Sequence, residues 1–350
     1  MSRRTASLTV ASIALITLVC VAFIAPMPYV VMSPGVTENT IGAFDGNPVI
    51  VISGHKTYPT AGHLDLTTVS VTSPQYHPRL PDILSAWWSS DDAVLPRDVI
   101  YPPQQSISQV EHQSQTEMVD SQQSAVIAGL AEAGIDALAV KVTSVTPGEP
   151  AAGQVHKGDE IVAVDGTKAT DLVQVAHIIK RVHPGGAVQL SLLRNGHPVT
   201  VHLTTVPYPG NPSQSRIGVT LTNAYVPPPF KVDISLGQDI GGPSAGMMFS
   251  LAIYDKLTPG DLTGGRYIAG TGTITPTGQV GPIGGIQQKI AGAYANGARY
   301  FLVPAADCAE ATGSSHAGQV ELIKVSTLND SVRALKTLDS GHPNAITNCQ

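Results

Sequence analysis

The chain opens with an uninterrupted apolar run. Leu8 to Ala25 contains no Asp, Glu, Lys or Arg, and only Thr9, Ser12, Thr17 and Cys20 soften it. As a helix these residues would be about 27 Å long, close to the hydrocarbon thickness of a bilayer. Arg3 and Arg4 precede the run. By the positive-inside rule, residues 1–7 are a cytoplasmic N-terminus and residues 8–26 a transmembrane anchor. Everything after Pro26 then lies outside the cytoplasm. A cleaved signal peptide is the alternative and leads to the same compartment, but no A-x-A site is evident and Pro26 and Pro28 follow instead.

Residues 27–133 read as a mixed strand and helix segment. Val49 to Ile52 form a short apolar strand ended by Gly54. Leu64, Leu66, Thr68 and Ser70 interleave with Asp65, Thr67, Val69 and Val71, a second strand. Asp82 to Trp88 suits a short helix. Ser106 to Ala133 suits a long one, with Val119, Gln123, Val126, Ile127 and Leu130 on one face and Gly134 as its stop. No chemistry is expected in this segment. Trp87 and Trp88 are expected to pack into the core; a membrane-interface anchor is the alternative.

Residues 134–207 are strongly patterned. Leu138, Val140, Val142 and Val145 mark a strand, and Ile161 to Val164 another that ends at the turn Asp165-Gly166. Asp171 caps a helix with Leu172, Val175, Ala176 and Ile179 at i, i+3, i+4 and i+7. Val188, Leu190 and Leu192, then Asn195-Gly196, then Val199, Val201 and Leu203 predict a hairpin. With the stretches Val142–Ala151 and Gly158–Gly166, this order resembles a bacterial PDZ domain. The resemblance implies that an extended peptide adds to a sheet edge beside the helix. It places the groove between the strand 138–142 and the helix 171–180, at Leu138, Val140, Val175 and Ile179.

Composition narrows the function. The chain has 350 residues and a formal net charge of −6, with no basic stripe, so a nucleic-acid partner is not expected. No G-x-x-x-x-G-K-[ST] and no H-E-x-x-H occur, so neither a nucleotide nor a metal centre is expected, and no cofactor is implied. The three cysteines rule out a disulfide-dense scaffold. Cys20 lies in the apolar run, which leaves Cys308 and Cys349; an oxidising exterior slightly favours a bridge between them.

The chemistry concentrates in residues 215–340. Gly241-Gly242-Pro243-Ser244-Ala245-Gly246 precedes the apolar, helix-compatible run Met247–Leu257. Ser244 therefore stands where a glycine-rich loop enters a helix, a position that supplies free backbone N–H groups to a developing oxyanion. A serine needs a base to become a nucleophile. Gly284-Gly285 opens a second helix carrying Lys289 among Ile286, Ile290 and Ala293. A lysine in apolar surroundings can be neutral near pH 7 and take that proton. Between the two runs, Ala269 to Val280 reads as a hairpin of small and β-branched residues.

Together these residues resemble the proteolytic domain of Lon, a Ser–Lys dyad peptidase. The serine motif G-P-S-A-G is intact at 242–246. The family's lysine motif G-G-[IL]-K-E-K reads Gly284-Gly285-Ile286-Gln287-Gln288-Lys289 here, so Gln287 and Gln288 depart from it and Lys289 is retained. The resemblance implies Ser244 as nucleophile, Lys289 as general base and Thr271 as the residue that orients the lysine. Gly242, Pro243 and Ala245 would form the backbone loop around the oxyanion. The whole chain is similar to the membrane-anchored, PDZ-containing Lon-like proteases of bacteria, which implies an α+β fold and an ATP-independent endopeptidase acting on extracytoplasmic proteins. The partners implied are protein or peptide substrates, engaged through the PDZ domain, and the lipid bilayer. Two alternatives remain. One is a non-catalytic peptide-binding sensor or scaffold. The other is an α/β-hydrolase using the G-x-S-x-G at 242–246, with Asp307 and His316, or Asp330 and His342, as partners.

Overall fold

The computed structural model describes residues 3–237 and 240–350. Met1 and Ser2, at the head of the predicted cytoplasmic segment, lie outside the described residues, as do Gln238 and Asp239 in the loop expected before Ser244. The chain leads with α1 (Arg3–Ile24), β1 (Tyr29–Asn39), β2 (His63–Val71), α2 (Leu80–Trp88), β3 (Ala93–Pro96) and α3 (Ile107–Glu132). There follow β4 (Leu138–Val145), β5 (Glu160–Val164), α4 (Leu172–Arg181), β6 (Ala187–Arg194), β7 (His197–Thr204), β8 (Asn211–Arg216) and β9 (Val219–Tyr225). Last come α5 (Gly246–Leu257), β10 (Tyr267–Gly270), α6 (Ile286–Ala295), β11 (Tyr300–Pro304), β12 (Glu321–Val325) and α7 (Leu328–Asp339).

Two units divide these elements. One joins the N-terminal part through Gly129 to Val232–Gln350; the other is Leu130–Lys231. The expected boundaries therefore change. The segment 27–133, read as separate and without chemistry, supplies three strands of the first unit's sheet, whose order is β12-β11-β10-β2-β1-β3. β10 pairs in parallel with both β2 and β11, and β11 with β12; β1 runs antiparallel to β2 and β3. The physical reason is visible in β2. Leu64 and Leu66 on one face and Asp65 and Thr67 on the other are all buried, so both faces must be covered, as for an interior strand. Every residue of α5 except Lys256 is buried, which fits a helix apolar all round. α6 packs on β1 and β2.

The second unit is built on a six-stranded sheet, β7-β6-β5-β4-β9 with the short strand Thr167–Lys168 paired to β5 off that path, and α4 lies over it. Asp165 (φ 48°) and Asn195 (φ 52°) take the left-handed conformation that two-residue hairpin turns require. Asp171 caps α4, accepting from the N–H groups of Val173 (2.7 Å) and Gln174 (2.9 Å). The unit does not end at 207. β9 pairs with β4 from Val219↔Val145 to Tyr225↔Leu138, so residues assigned to the catalytic region at 215 onward complete this sheet instead.

Two further points concern the first unit. Ser7–Ile24 of α1 carries no charge, has no buried residue and is a candidate membrane span. Cys308 and Cys349 are disulfide-bonded, with Cα atoms 5.1 Å apart. The tail they fasten runs beside β12, the Cys349 N–H donating to Leu322 O and the Lys324 N–H to Thr347 O, both at 2.9 Å.

Candidate active site

Ser244 lies in a single 3₁₀ turn, Pro243–Ala245, that runs directly into α5. The turn is pinned from α3, where Ser121 Oγ donates to Pro243 O (2.9 Å) and Ser114 O accepts from the Gly242 N–H (3.2 Å). Gly246 permits this approach, since a Cβ there would sit 2.7 Å from both Ser121 Oγ and Ile274 Cγ2. From the other side, the Gly272 N–H donates to Ser244 O (2.8 Å) and Thr271 Oγ1 donates to the same oxygen (3.0 Å). The backbone of Ser244 is therefore held by α3 and by the segment after β10.

Lys289 comes from the second turn of α6. Gly285 precedes that helix with φ 70°, and a Cβ there would meet Met32 Sδ and Val69 Cγ1 at 2.8 Å. Only glycine allows both the left-handed conformation and the close seating of α6 on β1 and β2. Lys289 is 2% exposed. Its Nζ lies 2.8 Å from Ser244 Oγ, and it donates to Thr67 O at 2.9 Å and to Thr271 Oγ1 at 3.2 Å. Burial pulls the ammonium down from its usual value near 10.5 to about 8, against the opposing pull of the Asp307 carboxylate. Asp307 is itself buried, and its Oδ2 accepts the Ile283 N–H at 3.0 Å, just before α6.

A cleft of about 570 Å³ opens on this pair, lined by Val36, Thr67, Val69 and Met118 as well as Ile240–Ala245 and Lys289. Ser244, Lys289 and Thr271 thus meet as the sequence led one to expect. The oxyanion loop needs correction. Gly242 directs its N–H to Ser114, and Pro243 has no N–H to give. The N–H groups of Ser244 and Ala245 open the turn and are the ones that helical bonding leaves for a ligand. The alternative histidines are not at the site. His316 Nε2 pairs with Asp91 (3.1 Å) and its Nδ1 with Gln319 (2.7 Å), while His342 Nδ1 lies 3.2 Å from Ser340 Oγ. Sequence reasoning missed the Thr67 carbonyl, Ser114 and Ser121, and offered Asp307 only as a partner of His316 rather than as a charge facing Lys289. Backbone acceptors and loop-pinning serines leave no motif behind, and only tertiary packing reveals them.

In the second unit the groove also moves. The cleft beside α4, about 320 Å³, is lined by Ala176 and Ile179 on the helix and by Ile217, Gly218, Val219 and Leu221 facing it. Leu138 and Val140 lie on β4, which is interior between β5 and β9, and Val140 and Val175 are core residues at 1% and 0% exposure. Of the four expected groove residues, only Ile179 lines the cleft. The free sheet edge next to α4 belongs to β9.

Comparison with known proteins agrees with this division. The model of the Lon protease (S16) C-terminal proteolytic domain matches residues 237–336, and the PDZ domain model matches residues 109–205. The chain carries a PDZ domain and a Lon-type proteolytic domain. The PDZ match stops at 205, yet the hydrogen-bonded sheet runs to Tyr225, and the pairing of β9 with β4 decides the boundary. Among curated relatives, "Lon protease 2" of Herpetosiphon aurantiacus is 40% identical over 79 residues, 21% of this chain and 9% of that protein. "Lon protease" of Azospirillum brasilense is 34% identical over 113 residues, 30% of this chain and 14% of that one. The chain thus spans a small part of the length of the curated relatives it matches. Among solved structures, the PDZ domain of the SdrC-like protein from Listeria innocua is 23% identical, covers 24% of this chain and 92% of its own, and superposes with a TM-score of 0.22.

Proposed function

We propose that the chain is a membrane-anchored serine endopeptidase that hydrolyses peptide bonds of extracytoplasmic proteins through Ser244 and Lys289. The observation that carries this reading is the 2.8 Å separation of Lys289 Nζ and Ser244 Oγ around a lysine that is 2% exposed. Neutral Lys289 takes the Ser244 proton as Oγ attacks the substrate carbonyl, whose π electrons move onto oxygen. The N–H groups of Ser244 and Ala245 stabilise that oxyanion. Collapse expels the amine, which receives the proton back from Lys289, and leaves an acyl-Ser244 ester. Water, deprotonated by Lys289, then attacks the ester; collapse of that intermediate releases the acid, and Lys289 returns the proton to the departing Ser244 Oγ. Thr271 and the Thr67 carbonyl hold Nζ in line throughout.

That no G-x-x-x-x-G-K-[ST] motif occurs in the sequence supports cleavage without ATP. The uncharged stretch Ser7–Ile24 of α1 supports single-pass anchoring, and Arg3-Arg4 at the start of that helix support an N-terminus in the cytoplasm. The PDZ unit recruits an extended segment of substrate along β9, beside Ile179. Comparing the new N-termini in membranes that carry the wild type or Ser244→Ala tests this reading. Cleavages confined to the wild type, insensitive to chelator and nucleotide, are expected. Identical cleavage in both, or loss of cleavage with chelator, overturns it.

A further inference from the structure

The tryptophans do not pack as the sequence suggested. Trp87 is 79% exposed and Trp88 is 91% exposed. They stand at the end of α2, whose other face holds the buried Ala86 and half-buried Ile83. Leu84, 45% exposed, lies three and four residues before them, so Leu84, Trp87 and Trp88 form one apolar stripe on the outer side of the helix. A surface helix usually turns its polar side to water. Here both sides are apolar, and the two tryptophans alone expose roughly 400 Å², the scale of a functional patch.

The position of α2 says what covers this stripe. The Met27 N–H, just past the end of α1, donates to Pro78 O at 2.8 Å, and Pro26 bridges to Arg79. α2 begins at the next residue and touches α1. The helix is thus tied by backbone hydrogen bonding to the point where the apolar span ends. Its surroundings are amphipathic. The Tyr76 ring, 52% exposed, donates from Oη to Asp82, and Arg97 lies over the Tyr101 ring while donating to the Pro74 carbonyl. Tryptophan, tyrosine and arginine around an apolar stripe suit the headgroup level of a bilayer, where an indole buries its ring and keeps its N–H wet.

We infer that the Leu84–Trp87–Trp88 face of α2 lies in the interfacial layer of the same bilayer that α1 crosses, giving the catalytic unit a second membrane contact. The inference rests on the reading of α1 as a membrane span. A single helix followed by a short linker leaves the attached unit free to swivel. A second contact fixes its pose, because β1 leads from the span straight into the sheet that carries Thr67.

The chain contains only two tryptophans, so its indole fluorescence reports on this face alone. The full chain is reconstituted into phosphatidylcholine–phosphatidylglycerol vesicles, with or without lipids brominated near the headgroup or at the chain end. Trp87→Phe and Trp88→Phe each leave one reporter. The expected result is a chain that floats with the vesicles and shows blue-shifted emission poorly quenched by acrylamide. Shallow bromines should remove about half of that emission and deep ones much less, as expected for indoles at the interface. A floating chain whose indoles emit and quench as in water overturns the inference and leaves the anchor standing. A blue shift that grows with protein-to-lipid ratio and ignores bromolipid overturns it in favour of a second copy covering the face. A chain that does not float overturns both the inference and the anchor.

Discussion

The titration of Lys289 gives the mechanism a quantitative signature. Its charged form is disfavoured by burial until the group titrates near pH 8 rather than 10.5. The neutral, basic fraction is then about 1% at pH 6, 10% at pH 7 and half at pH 8. Activity per enzyme, measured as kcat/KM on a fluorogenic peptide, should rise about fifty-fold from pH 6 to 8 and less than about twofold beyond. Stability should carry the same pKa. A lysine whose folded pKa is depressed costs stability most fully below about pH 8, and the cost fades as pH rises towards the unfolded value near 10.5. Relative to Lys289→Met, which has no titrating group, the wild type should gain about 1.3 kcal/mol between pH 7 and pH 9. Denaturant melts of both proteins at the two pH values measure this difference. Activity that still climbs tenfold per unit above pH 9, or a stability difference that stays flat or falls with pH, would refute the reasoning.

The other expectations follow from single contacts. Asp307→Asn keeps an acceptor for the Ile283 N–H but removes the charge that favours the Lys289 ammonium, so the acidic limb of the activity profile should move to lower pH; a shift to higher pH or none contradicts that role. Thr271→Val removes the hydroxyl bonded to Lys289 Nζ and to Ser244 O, and should lower kcat about 10- to 100-fold with Thr271→Ser recovering most of it. Gly285→Ala forces a Cβ against Met32 and Val69 at a left-handed position, and should destabilise the Lon-type unit by about 2–4 kcal/mol in denaturant melts. Cys349→Ser frees the tail beside β12 and should cost about 4 kcal/mol at most, with both thiols of the wild type resisting alkylation until reduced.

The sequence was most informative where local chemistry dictates structure. Asp165-Gly166 and Asn195-Gly196 specify their turns, Asp171 specifies its cap, and the glycines before Ser244 and Lys289 specify loops entering helices. It was least informative where strands from distant segments meet. Nothing local in His63–Val71 says that it pairs with Tyr267–Gly270 some two hundred residues later, or that its Thr67 carbonyl will accept from Lys289. β9 escaped for a related reason: Val219–Tyr225 alternates modestly, and its partner Leu138–Val145 lies some eighty residues earlier. Trp87 and Trp88 misled because large aromatics usually find cores, and nothing local marks the end of α2 as exposed.

The most direct test of the account is where an acyl group lands. A slowly deacylating peptide ester is mixed with the purified chain, quenched in acid and mapped by mass spectrometry after digestion. One acyl adduct on the peptide containing Ser244 is expected in the wild type, and none in Lys289→Met at the same pH. An adduct on any other residue, or an undiminished Ser244 adduct in Lys289→Met, would contradict the Ser244–Lys289 dyad.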